Sequence, residues 1–247
     1  MKQCPSKYFE PRKAEIDMLV LHSTALPNAE AALQSYDDAE VSAHYLIDYS
    51  GEIIQCVDEN FRAYHAGQSY WRGIESDINS HSIGIEIVNP TLGQSPFEEA
   101  QIAATIKLCR EIIERYNIKQ THVVGHSDIA PLRKPDPGVC FPWQRLAENG
   151  IGLWYGMDDS RKLDEKDVAK LLSIIGYDVR TPEVVLASGY AFCRRYVPQI
   201  VRVVEDIHEL LHNVLPSASG AVRDDFMREG QLINILQSVA FSYENYR

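Results

Sequence analysis

The sequence predicts a mixed α/β domain, a central β-sheet flanked by helices, followed by a small all-helical one. Three observations lead there. Short apolar runs rich in Val, Ile and Leu, bounded by turn residues, recur through the first part of the chain and read as buried strands. One long amphipathic helical stretch falls among them, and after Trp154 the apolar residues follow a helical period only. Strands mixed with helices, then helices alone, give the two-part organisation.

Each element has its own signal. Residues 16–21, Ile16-Asp17-Met18-Leu19-Val20-Leu21, form a buried strand that delivers His22 at its C-terminal end. Residues 45–49 and 51–57 are strand-like, with Ser50-Gly51 as the turn of a hairpin. In the strand over 83–88, Ile83, Ile85 and Ile87 alternate with Ser82, Gly84 and Glu86, so Glu86 shares a face with the smallest residues and has room beneath it for a ligand. Residues 96–117 form the clearest helix: Ser95-Pro96-Phe97-Glu98 reads as a capping box with Pro at the first helical position, and Ile102, Ile106, Cys109, Ile113 and Tyr116 mark its buried face. Val123 and Val124 form the last strand, ending at His126. The polar, turn-rich stretch that follows Trp154 marks a linker, which sets the expected domains at 1–155 and 163–247 with the linker at 156–162. Beyond it a helix over 163–175 ends at Gly176, Thr181-Pro182-Glu183 opens a second, and helices over 200–215 and 224–239 follow.

Composition bounds the function. A chain of 247 residues, 45% hydrophobic and 24% charged, buries one or two cores and is neither disordered nor fibrous. A net charge of −11 with no basic cluster argues against nucleic acid as a partner. No apolar run approaches the roughly 20 residues of a membrane span, and Met1-Lys2-Gln3-Cys4-Pro5 opens no secretory core. The expected compartment is the cytoplasm, or the periplasm if a leader has been removed. Five cysteines, an odd count with no CxxC, fit a reducing compartment better than a disulfide framework. The oligomeric state is not legible.

The chemistry lies at the strand ends. His22 ends one apolar run, His126 ends another, and Asp136 follows ten residues later. Two imidazoles and one carboxylate form a three-ligand set that suits one Zn²⁺ per chain and leaves a fourth tetrahedral position for water or substrate. Such a site lowers the pKa of water from roughly 15.7 to about 7 and polarises a carbonyl, so hydrolysis is the implied chemistry. His122 stands four residues before His126, but in a strand this spacing separates the two rings too far for a helical zinc clamp.

Around these residues stand Val20-Leu21-His22-Ser23-Thr24, Ser42-Ala43-His44-Tyr45-Leu46-Ile47-Asp48, His65-Ala66-Gly67, Ser82-Ile83-Gly84-Ile85-Glu86, and the run from Gly125-His126-Ser127-Asp128 to Lys134-Pro135-Asp136-Pro137-Gly138. This ordered series resembles the zinc-dependent N-acetylmuramoyl-L-alanine amidases of the AmpD and AmiD type, relatives of phage T7 lysozyme and the peptidoglycan recognition proteins, over residues 13–155. Phe141-Pro142-Trp143-Gln144, Gly150-Ile151-Gly152-Leu153-Trp154 and the presence of a further segment look more like the AmiD branch.

The resemblance implies that His22, His126 and Asp136 hold the zinc, that Glu86 is the catalytic carboxylate and that Lys134 is the polarising cation. It implies that His44 and His65 orient the ligands from behind or line the substrate, the alternative being core histidines satisfied by backbone groups. Trp71, with Tyr70, is expected to form a wall on which sugar or peptide stacks. Cys140 is the competing soft ligand, because phage relatives use a thiolate where this chain has Asp136. The implied substrate is peptidoglycan or a soluble muropeptide, cut between N-acetylmuramic acid, or its 1,6-anhydro form, and L-alanine. A non-catalytic muropeptide receptor on the same fold is the alternative. Residues 184–196 resemble a peptidoglycan-binding-like module, from whose usual pattern Cys193-Arg194-Arg195-Tyr196 departs.

Overall fold

The structure is a computed structural model that describes residues 1–75, 77–156, 158–201 and 230–246. Its strands are β1 (Lys2–Gln3), β2 (Phe9–Pro11), β3 (Met18–Ser23), β4 (Tyr45–Ile47), β5 (Ile53–Gln55), β6 (Phe61–Ala63), β7 (Tyr70–Trp71), β8 (Ile74–Glu75), β9 (Ser82–Ile87) and β10 (Val123–Gly125). The α-helices among the described residues are α1 (Ala29–Ala39), α2 (Ile78–His81), α3 (Glu99–Tyr116), α4 (His126–Ile129), α5 (Trp143–Glu148), α6 (Val168–Ile175), α7 (Pro182–Tyr196) and α8 (Gly230–Glu244). The helix expected over 200–215 lies outside the described residues beyond its first two positions, as does the first part of that expected over 224–239.

Six strands form one mixed sheet in the order β1-β5-β4-β9-β3-β10. Every pairing is parallel except β4 with β5, the hairpin closed by Gly51 at φ +79°. The register sets a single row of side chains across the sheet. Lys2 pairs with Ile54, Ile54 with Leu46, Leu46 with Glu86 and Glu86 with His22. His126 follows Gly125, the partner of Leu21, and so comes level with His22. The three chemically competent residues of the row therefore stand side by side without any loop having to bring them there.

Alternation along the central strands divides the core into two layers. Leu19, Leu21, Ile83, Ile85 and Ile87 face α3 and α5, where they pack with Ile102, Leu108, Cys109, Ile112 and Leu146. Met18, Val20 and Val124 face the other way and enter one cluster with Leu171, Ile175, Ala191, Phe192, Leu236 and Tyr243 from α6, α7 and α8. The linker expected at 156–162 thus has residues of a single core on both sides of it. Because β3 is covered on both faces, Met18-Leu19-Val20-Leu21 is apolar throughout, as parallel central strands are.

The long helix starts later than its expected capping box. Its N-cap is Glu98, whose backbone N–H donates to Gln101 Oε1 at 3.0 Å. Ser95 is engaged elsewhere, within 2.7 Å of the Thr91 hydroxyl, so Pro96 and Phe97 stay outside the helix. His122 sits in a 3-10 turn over Gln120–His122 rather than in the last strand. The five cysteines are free thiols.

Candidate metal centre and active site

Strand geometry brings His22 and His126 together, and a loop adds Asp136. His22 Nδ1 and His126 Nδ1 are 2.9 Å apart, and Asp136 Oδ2 lies 3.1 Å from His126 Nδ1 and 3.3 Å from His22 Nδ1. All three residues are buried. Three ligand atoms placed tetrahedrally at about 2.0–2.1 Å from one ion lie roughly 3.3 Å from each other, so this triangle matches a shared metal closely. The loop carrying Asp136 is tied on both sides: Ser127 N donates to Asp136 O at 2.8 Å, and Ser23 Oγ donates to Pro137 O at 3.3 Å.

The hydrogen-bond network assigns the ring nitrogens. Ser82 Oγ donates to Ile78 O at 2.6 Å, which leaves it to accept from His65 Nε2 at 3.3 Å. His65 Nδ1 then accepts from His22 Nε2 at 3.0 Å. His126 Nε2 donates to Ala66 O at 3.2 Å. Each ligand ring thus carries its proton on Nε2 and turns an Nδ1 lone pair toward the centre. Burial, reinforced by His126, lowers the pKa of His22 to about 4, so the ring is neutral and able to ligate at ordinary pH. For Asp136 burial opposes ionisation, yet His126 and His22 outweigh it and hold the carboxyl well below its usual range.

Glu86 stands beside this triangle on the neighbouring strand. Its Oε2 is buried and has no hydrogen-bond partner. Burial and, next, the charge of Asp136 push its pKa up to about 8, while Lys134 pulls the other way. A buried carboxyl with a free oxygen next to a ligand set is what a general base requires, and the donor set with that orphaned oxygen fits a metal ion with a water beside it. Lys134 is half-buried on the loop between α4 and Asp136, and its charge acts on both Glu86 and His22.

The remaining expected residues divide. His65 lies against the ligand set but fills the space expected to be open beneath Glu86: a Cβ added to Gly84 would come within 2.4 Å of its ring. His44 lines no substrate surface. It is fully buried, its Nδ1 accepts from Gly84 N at 2.9 Å, and its Nε2 lies 3.1 Å from Phe61 O and 2.8 Å from Arg12 Nη2, so it is a core histidine held by the backbone and by Arg12. Trp71 is also corrected. The β7–β8 hairpin turns its ring inward, fully buried, where Nε1 donates to Thr121 O at 3.0 Å and the ring meets Tyr177 edge-on at 5.1 Å. Cys140 is turned away from the triangle, its thiol donating to Gln94 O at 3.0 Å. Sequence reading missed Ser82, whose position on the same strand face as Glu86 was the available signal.

A buried imidazole–imidazole–carboxylate triangle at the strand ends of a mixed sheet, with a carboxyl of raised pKa beside it, is a donor set that could hold a metal ion in the class of hydrolases that use one. The comparisons narrow the class. A profile described as N-acetylmuramoyl-L-alanine amidase matches residues 12–139. The chain is 42% identical over 189 residues to the N-acetylmuramoyl-L-alanine amidase AmiD of Escherichia coli K12, covering 67% of this chain and 68% of that protein. It is 35% identical over 166 residues to the 1,6-anhydro-N-acetylmuramyl-L-alanine amidase AmpD of Haemophilus influenzae, covering 58% and 89%. Among solved structures, the complex of E. coli AmiD with anhydro-N-acetylmuramic acid-L-Ala-D-gamma-Glu-L-Lys superposes with a TM-score of 0.71 at 31% identity, over 97% of this chain and 99% of that one. AmpDh3 of Pseudomonas aeruginosa superposes with a TM-score of 0.68 at 33% identity, over 80% and 89%. The chain belongs to the N-acetylmuramoyl-L-alanine amidase family.

Proposed function

We propose that this protein is a zinc-dependent amidase that hydrolyses the bond between the lactyl group of N-acetylmuramic acid, or of its 1,6-anhydro form, and the L-alanine of the stem peptide. The observation that carries the reading is the convergence of His22 Nδ1, His126 Nδ1 and Asp136 Oδ2 within 3.3 Å of one another beside the unpartnered Glu86 Oε2. All three ligand positions are present, which removes the ground for a non-catalytic receptor.

His22, His126 and Asp136 would hold the zinc, which supplies an acidified water and a polarised carbonyl when bound. The chain's own groups do the rest. Glu86 takes a proton from the attacking water: burial makes its carboxylate a stronger base, and the positive charge of a bound metal would hold it ionised until that step. The cationic Lys134 opposes the negative charge that develops on the carbonyl oxygen. Glu86 then hands its proton to the departing alanine nitrogen as the C–N bond breaks, leaving a lactyl carboxylate and a free peptide amine. His65 keeps the His22 ring oriented through the 3.0 Å bond.

Mass spectrometry of anhydro-N-acetylmuramyl peptide and of intact sacculi after incubation with the zinc-loaded protein tests this. The expected products are free stem peptide and peptide-free sugar. Release of single amino acids from the peptide's other end, or no cleavage of either substrate, would contradict it.

A further inference from the structure

Two residues beyond His126, Asp128 is buried at 1% exposure and carries no role in the chemistry above. Its partners account for the whole carboxylate. Oδ2 accepts from Gly125 N at 2.8 Å and from Arg195 Nη1 at 2.6 Å, and Oδ1 accepts from the Tyr177 hydroxyl at 2.7 Å. Arg195 in α7 is itself buried, donates from Nη2 to Val123 O at 3.1 Å and lies with its guanidinium carbon 4.0 Å from the centroid of the Trp143 ring. One guanidinium therefore grips both the last strand, at Val123, and the first turn of the helix that starts at His126.

A four-residue helix has little stability of its own, because nucleation costs more than so few bonds return. Beside the Ser127 N bond to Asp136 O and the buried Ile129, the clamp on Asp128 holds its orientation. A shift of this turn would move His126 Nδ1 relative to His22 and Asp136, and a metal site tolerates ligand displacements of only a few tenths of an ångström. Both clamping side chains come from residues after the expected linker, in the helical part of the chain.

We propose that Arg195 and Tyr177 are positioning residues of the metal centre: through Asp128 they fix the turn that presents His126, so the helical C-terminal part is an integral part of the site. The inference rests on the reading of His126 as a metal ligand. It assigns a function to Arg195, whose place in Cys193-Arg194-Arg195-Tyr196 would otherwise pass as a feature of a separate wall-binding module.

The test uses the full chain and reads zinc affinity by chelator competition, with the visible spectrum of the cobalt-substituted protein as a report on ligand geometry. Removing Arg195 alone strands a buried carboxylate, so the informative variants are the charge-neutral double Asp128→Asn/Arg195→Met and the single Tyr177→Phe, which loses one hydrogen bond and no charge. The double is expected to bind zinc about 10- to 100-fold more weakly, the range typical of lost second-layer partners, and to show an altered cobalt spectrum. Tyr177→Phe is expected to shift both readouts in the same direction by less, and Arg195→Lys, which keeps the charge, to lie nearer the wild type than the double. Folded variants with wild-type zinc affinity and an unchanged cobalt spectrum would overturn the proposal; should the double not fold, the Tyr177→Phe result decides alone. A wild-type protein that binds no zinc would instead overturn the functional reading.

Discussion

His65 Nδ1 accepts a hydrogen bond from His22 Nε2 at 3.0 Å, and that one contact decides which nitrogen of His22 is left to face the other ligands. It is the middle link of a chain that begins at a main-chain oxygen, Ile78 O, and passes through the Ser82 hydroxyl. A tautomer fixed from the backbone outward is a form of preorganisation, because no ring has to turn or exchange a proton when metal binds.

Removing the middle link should therefore weaken the site without removing a ligand. His65→Ala is expected to lower zinc affinity about 10-fold or more, measured by competition with a chromophoric chelator. Unchanged affinity would show that His22 is oriented by packing alone.

Glu86→Gln keeps the shape of the side chain and removes the proton acceptor. Zinc content is expected to stay at the wild-type level while kcat falls by about 10²-fold or more in a muropeptide hydrolysis assay. Lys134→Ala should likewise depress kcat more than metal content, since its charge acts on the developing oxyanion. Near-normal turnover of Glu86→Gln would reduce Glu86 to a polar strand residue.

Acid should destabilise the metal-free protein through its buried imidazoles. Burial lowers the pKa of His22 to about 4 and that of His44 to about 3, against about 6.5 in the unfolded chain. At these two histidines the unfolded state therefore binds more protons than the folded one between these values, so their contribution is full above about pH 6.5 and falls as pH drops toward 4, offset in part by Glu86, whose pKa of about 8 makes the folded state hold a proton over much of the same range. Each histidine contributes a slope of up to about 1.4 kcal/mol per pH unit in that window. Urea unfolding of the metal-free protein at a series of pH values measures it, and a flat profile from pH 7 to 4 would contradict the account.

A chain ended near Ser160 would lose the helices that cover Met18, Val20, Trp71 and Ile78, all fully buried in the intact structure. The truncated protein is expected to be insoluble or to bind the environment-sensitive dye ANS strongly, and to bind zinc poorly if soluble. A monomeric truncation with wild-type zinc affinity would show that the amidase part folds and builds its site alone.

The pattern of what was legible follows from physics. His22, Glu86 and His126 could be read because each stands in or directly after a short apolar strand, and the three fall on one cross-strand row. Asp136 could be read because its spacing from His126 follows the family motif. Trp71 was misassigned for the opposite reason: an aromatic after a glycine loop looks exposed until the covering layer is known, and that layer includes Tyr177, just beyond α6, and Tyr243 of α8, a hundred or more residues later in the chain. Arg195 and Tyr177 were invisible on the same ground. Their partner Asp128 lies 67 and 49 residues away, and no local period encodes that meeting.

The central claim is that His22, His126 and Asp136 bind one zinc on which hydrolysis depends. Stripping the protein with a chelator and titrating zinc back while following cleavage of anhydro-N-acetylmuramyl peptide tests it most directly. Activity is expected to vanish on stripping and to return in full at about one zinc per chain, with Asp136→Ala failing to recover and Cys140→Ser recovering normally. Full activity in a metal-free preparation would contradict the account, as would recovery by Asp136→Ala but not by Cys140→Ser.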